Sequence, residues 1–471
     1  MITLTLNQIS AALGGTLRLA PGADGETQIS GETQTDSRRL TAGGIFIALA
    51  GEKSNGHLFV PAAIETGVAL IIIDREHDHD HDVSVSHIVV EDTLTALADL
   101  AKFVVATVRS NGALKVIGIT GSNGKTTTKN LLRAMLSSAG PTIAPPESLN
   151  NQVGAPLSML SINPETNYLV VEMGASGVGD IARIVDIAMP DIAVVLKVGL
   201  AHAGEFGGVE QTARAKSEIV TALPPQAVAV LNADDERVVR MAGSTPARPF
   251  WFGLDVSADV CADNLNTTLT GTGFTLVVGQ LRRPVRLQLI GEHQVMNALA
   301  AVAVVLQLGI DLDLALAALE SVPRAERWRM EVLNRTDGIV VINDAYNASP
   351  DSMSAALKTL AQIVGPEQRS VAVLGEMTAL GEYSDEEHDR IGRLVVRLNI
   401  QKLIVVGHGA RHIHNAAGLE GSWDGESVLV ANADEAQELI RADLRAGDVV
   451  LVKASNSANL RELGDRIGEV A

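Results

Sequence analysis

Cysteine is almost missing from this chain, since Cys261 is the only one among 471 residues. A single thiol cannot form an internal disulfide, which excludes a disulfide-stapled secreted protein and fits a reducing compartment. The first residues carry neither the basic cluster nor the apolar run of a signal peptide. The most apolar stretch, Val295 to Ile310, is short for a membrane span and includes Asn297 and Gln307. We therefore predict a buried helix there and a cytoplasmic protein.

Aromatic and basic residues are also scarce. Aromatic side chains make up 3% of the chain, so Ala, Val, Leu and Ile must fill its cores, as in α/β layers. The 37 basic residues are outnumbered by 56 acidic ones, and the resulting net charge of −19 repels polynucleotides. We expect no nucleic acid partner and no membrane contact. We also expect a monomer.

Strand-like and helix-like segments alternate along three successive regions, 1–92, 93–323 and 324–471. The pattern predicts an α/β protein of three domains: a small N-terminal α/β domain, a central parallel-sheet domain, and a smaller doubly wound, Rossmann-like domain. Short alternating strands with glycine turns near 248–290 predict an antiparallel extension of the central sheet. Pro323 and the charged residues that follow it mark the last boundary.

A glycine-rich loop, Gly121-Ser122-Asn123-Gly124-Lys125-Thr126-Thr127, joins a predicted strand to a predicted helix. Its glycines let backbone N–H groups approach phosphate oxygens, and the helix N-terminus adds about half a positive charge. Lys125 is placed to reach the β- and γ-phosphates, and the Thr126 hydroxyl to bind Mg²⁺. The loop is a short variant, because Ile119 replaces the usual first glycine. It predicts ATP binding rather than a chance Lys-Thr turn, but it defines no reaction.

Two further polar residues follow strands of the same predicted sheet. Glu172 ends one strand, and His202 follows the next one along the chain. Taken alone, they are typical of a strand-end acid and a surface histidine. Because the carboxyl ends of parallel strands face one crevice, Thr126, Glu172 and His202 together predict a magnesium site beside the phosphates.

Two other features are ambiguous on local grounds. Lys216 lies on an amphipathic helix, where a solvated lysine is the ordinary interpretation. The tract His77-Asp78-His79-Asp80-His81-Asp82 offers imidazole and carboxylate ligands for a metal. We favour a solvated loop, because side chains that alternate along a flexible tract have no fixed geometry.

Several segments resemble the Mur ligases, ATP-dependent amide-forming enzymes of bacterial cell-wall synthesis, and the resemblance covers nearly the whole chain. The segments are Thr35–Arg38, Gly121–Lys129, Asn150–Leu157, Asn343–Met353 and Leu374–Glu382. They are most similar to the family member that joins D-alanyl-D-alanine to a UDP-N-acetylmuramoyl-tripeptide. The Tyr-Ala-His-Thr-Pro run of the member that adds the third residue is absent.

The resemblance implies roles for individual residues and for two Mg²⁺ ions. Catalysis would involve Lys125, His202, Lys216 and Arg329. The residues that would contact ATP are Gly121, Ser122, Asn123, Gly124, Lys125, Thr126, Thr127, Asn297, Arg329, Asp344, Tyr346 and Asn347. The substrate would contact Asp36, Ser37, Arg38, Asn150 and Asn151, and the metal ions would lie near Thr126, Glu172, His202 and Lys216. Lys216 would react with CO₂ to form a carbamate, an anion able to support the second Mg²⁺.

The resemblance also implies a division of labour among the domains. Residues 1–92 would bind the UDP-linked substrate, 93–323 would bind ATP, and 324–471 would bind the dipeptide and close on ATP. Two positions depart from the family pattern. Lys197 stands where Asn is typical, and Ala454 replaces a glycine, so that a Cβ disfavours positive φ there.

Alternative interpretations remain open at this point. Without the resemblance, Asn297 reads as a buried helix residue, Arg329 as part of a boundary salt bridge, and 343–350 as a capped strand-to-helix turn. Other candidate functions are a third-residue-adding Mur ligase, a folylpolyglutamate synthetase-like ligase and, from a different class, a non-catalytic nucleotide-binding regulator. A P-loop kinase is a weaker alternative, since it gives no reason for the segment 343–353.

Overall fold

Three large β-sheets occupy successive parts of the chain in the computed structural model of this protein. The structure describes residues 1–51, 54–77, 84–145, 147–200, 203–323, 327–421 and 423–469. Among these residues the strands form sheets of five, nine and six strands, together with a two-stranded ribbon near the N-terminus. The three-domain α/β architecture predicted from the sequence is confirmed, whereas the boundaries at 92/93 and 323/324 stay predictions.

The N-terminal part is built around the five-stranded sheet, with strand order β2-β7-β6-β5-β4. Its elements are β1 (Leu4–Thr5), α1 (Leu6–Leu13), β2 (Thr16–Arg18), β3 (Gln28–Ile29), β4 (Thr33–Gln34), β5 (Ile45–Ile47), α2 (Val60–Thr66), β6 (Leu70–Asp74) and β7 (His87–Val90). β4 to β7 pair in parallel, and β2 joins β7 antiparallel. Short 3₁₀ turns at Ser37–Arg39, Gly56–Phe59 and Arg75–His77 connect these elements.

The central part carries a nine-stranded sheet of order β16-β15-β14-β13-β12-β11-β8-β10-β9. Its elements are α3 (Thr93–Asn111), β8 (Lys115–Thr120), α4 (Lys125–Ser137), β9 (Thr142–Ile143), α5 (Gly154–Leu160), β10 (Tyr168–Glu172), α6 (Asp180–Ile187), β11 (Ile192–Val195), α7 (Ala203–Phe206), α8 (Val209–Thr221), β12 (Val228–Asn232), α9 (Glu236–Met241), β13 (Arg248–Gly253), β14 (Val260–Thr268), β15 (Gly271–Val278), β16 (Leu281–Leu287), α10 (Glu292–Gln307) and α11 (Leu312–Ser321). β8 lies between β10 and β11, so the strand order reverses beside it. Ligands of open α/β sheets bind at such a reversal.

One expectation about this sheet needs correction. β13, at the start of the predicted antiparallel extension, pairs in parallel with both β12 and β14. The antiparallel part comprises only β14, β15 and β16. Local alternation of side chains does not distinguish the two pairings, because the connection after β12 decides the direction of β13.

The apolar segment that begins at Val295 lies in α10, where nearly every side chain is buried. Packing against α4 and the sheet accounts for this burial. The buried-helix prediction is therefore confirmed. Within the described ranges, no helix is both long and apolar enough to cross a membrane.

The C-terminal part has a six-stranded sheet of order β17-β18-β22-β19-β20-β21. Its elements are β17 (Glu331–Asn334), β18 (Val340–Asn343), α12 (Pro350–Ile363), β19 (Arg369–Leu374), α13 (Ser384–Arg397), β20 (Lys402–Val406), α14 (Arg411–Leu419), β21 (Glu426–Val430), α15 (Ala433–Asp443), β22 (Asp448–Lys453) and α16 (Leu460–Gly468). β18 to β22 are parallel, and β17 adds an antiparallel edge. β22, the last strand in the chain, inserts between β18 and β19.

We expect Gly392→Ala to lower the thermal unfolding temperature, because α13 and α14 pack closely at this glycine. A Cβ at Gly392 would lie 2.3 Å from the Ile413 carbonyl oxygen, and overpacking of this kind costs about 1–3 kcal/mol. The matched control is Gly418→Ala, in α14, where no other part of the described chain, apart from the helix's own backbone, lies within 4 Å of the added Cβ. The control should keep or raise the unfolding temperature, since alanine favours helix by up to about 1 kcal/mol. Equal effects of both changes would contradict this account of the helix packing.

Candidate functional site

The glycine-rich loop sits at the carboxyl end of β8, at the reversal of strand order. Gly121 and Gly124 have φ of +152° and +88°, a region that side chains with a Cβ rarely adopt. A Cβ on Gly124 would also lie 2.3 Å from the Asn297 side-chain oxygen. The Ser122 amide donates to the Lys197 carbonyl over 2.8 Å, which ties the loop to the end of β11. The short loop is thus held open toward the crevice.

A cleft of about 300 Å³ separates this loop from the C-terminal part of the chain. Both parts contribute its walls, which include Ser122, Asn123, Gly124, Lys125, Thr126, Thr127, Asn150, Lys197, His293, Asn297, Arg329, Asp344, Tyr346, Asn347, Asp351 and Lys453. The fold therefore brings all the predicted ATP contacts except Gly121 to one cleft. Gly121 lines a connected region with Lys125 and Lys216.

Lys125 folds back over the loop, and its ammonium donates to the Gly121 carbonyl over 2.7 Å. Desolvation lowers the pKa of Lys125, and Arg329 lowers it further, whereas Glu172 acts in the opposite direction. An anion in the cleft would favour the charged ammonium.

Glu172 ends β10 beneath the loop and is almost fully buried. Its Oε2 accepts from the Thr126 hydroxyl at 3.2 Å and from the Ser148 hydroxyl at 3.0 Å. Its Oε1 lies 3.0 Å from the Lys129 ammonium, which also donates to the Glu147 carbonyl at 2.8 Å. The predicted proximity of Thr126 and Glu172 is thus present. The buried Lys129 partner was not foreseen, because nothing in the sequence separates it from an ordinary helix lysine.

Lys216 lies on α8 with only 4% of its surface exposed. Burial, followed by the nearby charge of Lys125, lowers the pKa of Lys216 to about 7. Its ammonium lies 5.9 Å from the centre of the Phe206 ring. Lys216 shares a cavity with Lys125 and Asn150, so it is a residue of the site and not a solvated helix lysine.

His202 is the remaining member of the predicted metal set, and it lies outside the described residues. α7 begins just after it, at Ala203. The amide of Gly204 donates to the Ala379 carbonyl over 3.2 Å, so this part of the central region contacts the C-terminal region.

The C-terminal half of the cleft begins with Arg329, whose guanidinium stacks over the Tyr346 ring at 4.0 Å. Its neighbours Trp328 and Met330 both have positive φ, of +63° and +53°, which is costly for residues other than glycine. The Met330 amide donates to Asp344 Oδ1 over 2.9 Å and holds this bend in place. The strained backbone directs Arg329 toward the cleft.

Asp344 directly follows β18, and Lys453 ends the adjacent strand β22. The Lys453 ammonium lies 2.5 Å from Asp344 Oδ2 and donates to the Asn347 carbonyl over 3.1 Å. Lys453 has no signal of its own in the sequence, since only the order of the strands places it beside Asp344. Ala454, the departure after it, does not have positive φ, so its Cβ is tolerated.

Asn297 and His293 form the wall of the cleft on α10. Asn297 is buried, donates to Gln294 Oε1 over 2.9 Å and accepts from the Thr128 hydroxyl at 3.4 Å. His293 was not predicted as a site residue. Burial lowers the pKa of His293 to about 4, and its Nδ1 has no hydrogen-bond partner among the residues that the structure describes. It is therefore a neutral imidazole in the cleft at neutral pH.

The substrate residues predicted in the N-terminal part do not line this cleft. Asp36 caps the turn Ser37–Arg39, and its carboxylate accepts from Arg38 Nε over 2.9 Å. This hydrogen bond lowers the pKa of Asp36 to about 2. Arg39 pairs with Glu147 at 3.2 Å, which brings the turn beside the segment that carries Asn150.

Asn150 and Asn151 have different surroundings. The Asn150 carbonyl accepts from the Gly174 amide over 2.8 Å, and its side chain donates to the Ser148 hydroxyl over 3.0 Å. The Asn151 side chain accepts from the Gly154 amide over 2.8 Å and so caps α5. Both residues face the cavity that contains Lys216.

Known proteins match this chain in sequence and in fold over nearly its whole length. Family models match as the Mur ligase family catalytic domain over residues 32–104, the Mur ligase middle domain over 119–305, and the Mur ligase glutamate ligase domain over 328–456. The chain belongs to the Mur ligase family.

Several relatives match the chain over nearly its whole length. The UDP-N-acetylmuramoyl-tripeptide–D-alanyl-D-alanine ligase of Mycobacterium tuberculosis is 42% identical, over 99% of this chain and 98% of its own length. A crystal structure of MurF from Acinetobacter baumannii matches with a TM-score of 0.88 and 32% identity, covering 99% of both chains. MurF from Thermotoga maritima, solved in complex with ADP, matches with a TM-score of 0.81 and 28% identity over 94% of this chain and 97% of its own.

Lys197, the other departure from the family pattern, makes an ion pair across the cleft: its ammonium lies 2.9 Å from Asp351 Oδ1. The side chains are 49% and 28% exposed, and such pairs contribute about 0.2–1 kcal/mol. We expect Lys197→Met and Asp351→Asn each to raise the KM for ATP by about two- to fivefold, because each removes this ion pair between the two walls of the cleft.

The double variant should be no worse than either single variant, because the first change already removes the pair. Steady-state kinetics in ATP would measure this, with Lys102→Met as the control, since its partner Asp186 lies on α6 and away from the cleft. Additive effects of the two changes would show that the residues act separately on ATP.

Proposed function

We propose that this chain is the ligase that uses ATP to join D-alanyl-D-alanine to UDP-N-acetylmuramoyl-tripeptide in peptidoglycan precursor synthesis. The observation that supports it most strongly is the single cleft in which Lys125 from the central region faces Arg329 and Asp344 from the C-terminal region. The identity of the full-length relatives supports the choice of substrates. We further propose that the enzyme acts in the cytoplasm as a monomer.

ATP would lie across the cleft with its phosphates on the glycine-rich loop. The tripeptide carboxylate attacks the γ-phosphorus, the bond to ADP breaks, and an acyl phosphate results. The amine of D-Ala-D-Ala then attacks the acyl carbon, inorganic phosphate leaves, and an amide remains after loss of the amine proton. ATP is needed because a carboxylate is a poor electrophile. Lys125 and Arg329 would stabilise the charge on the transferred phosphoryl group.

The nucleoside end would face the other walls of the cleft. Asn297 would contact the adenine, Asp344 the ribose, and Tyr346 and Asn347 would lie beside the nucleotide. The Lys453 ammonium holds the carboxylate of Asp344 in place by its 2.5 Å contact. Arg329 comes from the C-terminal region, so productive binding would require that region to close on ATP.

The residues beneath the loop fit a magnesium ion, because Thr126 and Glu172 present hard oxygen donors 3.2 Å apart. Bound Mg²⁺ would neutralise charge on the β- and γ-phosphates. Thr126 and Glu172 would hold one ion, and His202 and Lys216 would lie near a second. The Lys129 ammonium, 3.0 Å from Glu172 Oε1, places a positive charge beside that carboxylate in the buried site.

Lys216 would carry the carbamate that supports the second ion. Only the neutral amine attacks CO₂, and burial lowers the pKa of Lys216 to about 7, so a large fraction is neutral near pH 7. The product is an anion, which suits a position close to Lys125. The N-terminal turn Asp36-Ser37-Arg38 would hold the uridine nucleotide, and Asn150 and Asn151 would line the path from it to the loop.

The reaction predicts phosphate release that depends on ATP, the UDP-linked tripeptide and D-Ala-D-Ala together. Single amino acids, including lysine, diaminopimelate and glutamate, should release little phosphate when offered as acceptors. Lys125→Met should reduce the rate at least about 100-fold, because it removes charge stabilisation of the transferred group. Phosphate release with a single amino acid and not with the dipeptide would point to another ligase. No release with any acceptor would favour a nucleotide-binding regulator.

The carbamate predicts that Lys216→Ala lowers the rate at least about 100-fold and that small carboxylates such as acetate partly restore it. Wild-type protein equilibrated with ¹³C-bicarbonate should show a carbamate signal in its ¹³C NMR spectrum, and the variant should lack it. Lys115→Ala is the control, since Lys115 is half exposed at the opposite end of β8. Unchanged turnover in Lys216→Ala would reject the role.

A further inference from the structure

A cluster of two histidines and one aspartate lies in the N-terminal region, on elements separate from the cleft. His57 comes from the 3₁₀ turn after β5, Asp74 ends β6, and His77 ends the next 3₁₀ turn. One potential ligand atom from each side chain lies within 4.8 Å of the others. We propose that His57, Asp74 and His77 form a site for a divalent transition metal ion of the Zn²⁺ class.

The tautomer of His57 is determined by Asn55. The backbone amide of His57 donates to Asn55 Oδ1 over 3.0 Å, which fixes the orientation of that carboxamide. His57 Nδ1 lies 2.8 Å from the same oxygen and must therefore be the protonated nitrogen that donates to it. A hydrogen bond of this kind orients the histidine ligands of metal ions.

The other nitrogen, His57 Nε2, points at Asp74. It lies 3.4 Å from Asp74 Oδ2 and accepts from the Asp74 backbone amide at 3.3 Å. A cation between Nε2 and Oδ2 would take the place of this long backbone contact and would neutralise the carboxylate beside the ring. In a tetrahedral site with bonds of about 2.0–2.1 Å, neighbouring ligand atoms are roughly 3.4 Å apart, as these two are.

His77 supplies the third ligand from the exposed side of the cluster. Its Nδ1 lies 2.7 Å from Asp74 Oδ1, and its ring stacks on His57 with the centroids 3.8 Å apart and an angle of 12°. Parallel rings cannot both direct their lone pairs at one ion, so His77 must tilt out of the stack on binding. Its side chain is 23% exposed, against 1% for His57, which leaves it room to do so.

The ligand types determine the class of ion. Two imidazole nitrogens and one carboxylate oxygen suit Zn²⁺, Co²⁺ or Ni²⁺, whereas Mg²⁺ and Ca²⁺ prefer an all-oxygen set. A water or a further side chain would complete the coordination. The sequence continues from His77 with Asp78-His79-Asp80-His81-Asp82, so the same ligand types are abundant beside the site. A bound ion would tie the turn that carries His57 to the end of β6.

The test uses the full-length protein without a histidine tag, freed of metal by a chelator and kept in excess Mg²⁺ so that oxygen sites are filled. Calorimetric titration with Zn²⁺ should show one site per chain. Co²⁺ should give the visible absorption bands typical of a four-coordinate ion with mixed nitrogen and oxygen ligands. The thermal unfolding temperature should rise with Zn²⁺ concentration, because the ion binds only the folded site.

Variants identify the ligands. We expect His77→Gln to weaken Zn²⁺ binding at least tenfold and to remove the Co²⁺ bands, and its exposed position makes misfolding an improbable cause. Asp74→Asn should act in the same direction. His408→Gln, in the C-terminal region, is the matched control and should bind as the wild type does. A variant with His79 and His81 replaced by Ser should still bind one ion.

Two results would overturn the proposal. Wild-type affinity in both His77→Gln and Asp74→Asn would show that these residues are not ligands and that a proton alone occupies the His57–Asp74 contact. Loss of binding in the His79/His81 variant, with full binding in His77→Gln, would assign the metal to the alternating tract alone.

Discussion

The buried carboxylate of Glu172 is the constraint on which the arrangement of the phosphate loop depends. A carboxylate that is 2% exposed must be compensated by charge or hydrogen bonds, and Thr126, Ser148 and Lys129 all contact it. These three residues come from α4 and from the segment before α5. Removing the carboxylate would take away the group that lies 3.0 Å from the buried Lys129 ammonium. The same group therefore organises the loop, the segment at Ser148 and the proposed magnesium ligands.

On the other side of the cleft, a second ion pair holds the local backbone and side chains in position. The ion pair between Asp344 and Lys453 links the ends of β18 and β22, and Asp344 also accepts a hydrogen bond from the Met330 amide. That contact holds the bend at Trp328 and Met330, whose positive φ values would otherwise be unfavourable. The position of Arg329 is thus a consequence of an ion pair between strand ends. The central and C-terminal sheets face each other with the carboxyl ends of their parallel strands, and the cleft proposed for ATP lies between them.

The parts of the fold and of the site that could be predicted were those encoded by residues close together in the sequence. The loop from Gly121 to Thr127, with a strand before it and a helix after it, is a local pattern and was placed correctly. The proximity of Glu172 to Thr126 followed from the rule that parallel strands end at one edge. Roles for Lys216, Arg329 and Asp344 came from family resemblance, because a lysine on a helix or an acid at a strand end is common for other reasons.

Other features had no local signal. In the sequence, His293 looks like an ordinary helix residue. Only the structure shows that it lies in the cleft and that burial lowers its pKa to about 4. Lys197 and Asp351 are 154 positions apart in the sequence and meet only because two domains face each other. His57 and His77 come together because β6 runs beside β5 and ends next to the turn that carries His57. The solvated-loop prediction concerned His77 and residues 78–82, and 78–82 lie outside the described residues.

The sequence by itself determined the composition of the cores, the alternation that specifies three α/β regions, the phosphate loop and the family. These depend on interactions between residues close in the chain, or on patterns that span it. The tertiary structure decided which strand ends are neighbours, and therefore which charges are paired, buried or turned toward the cleft. The physical reason is that burial and pairing set the energy of a charged group, and both depend on residues that are distant in sequence.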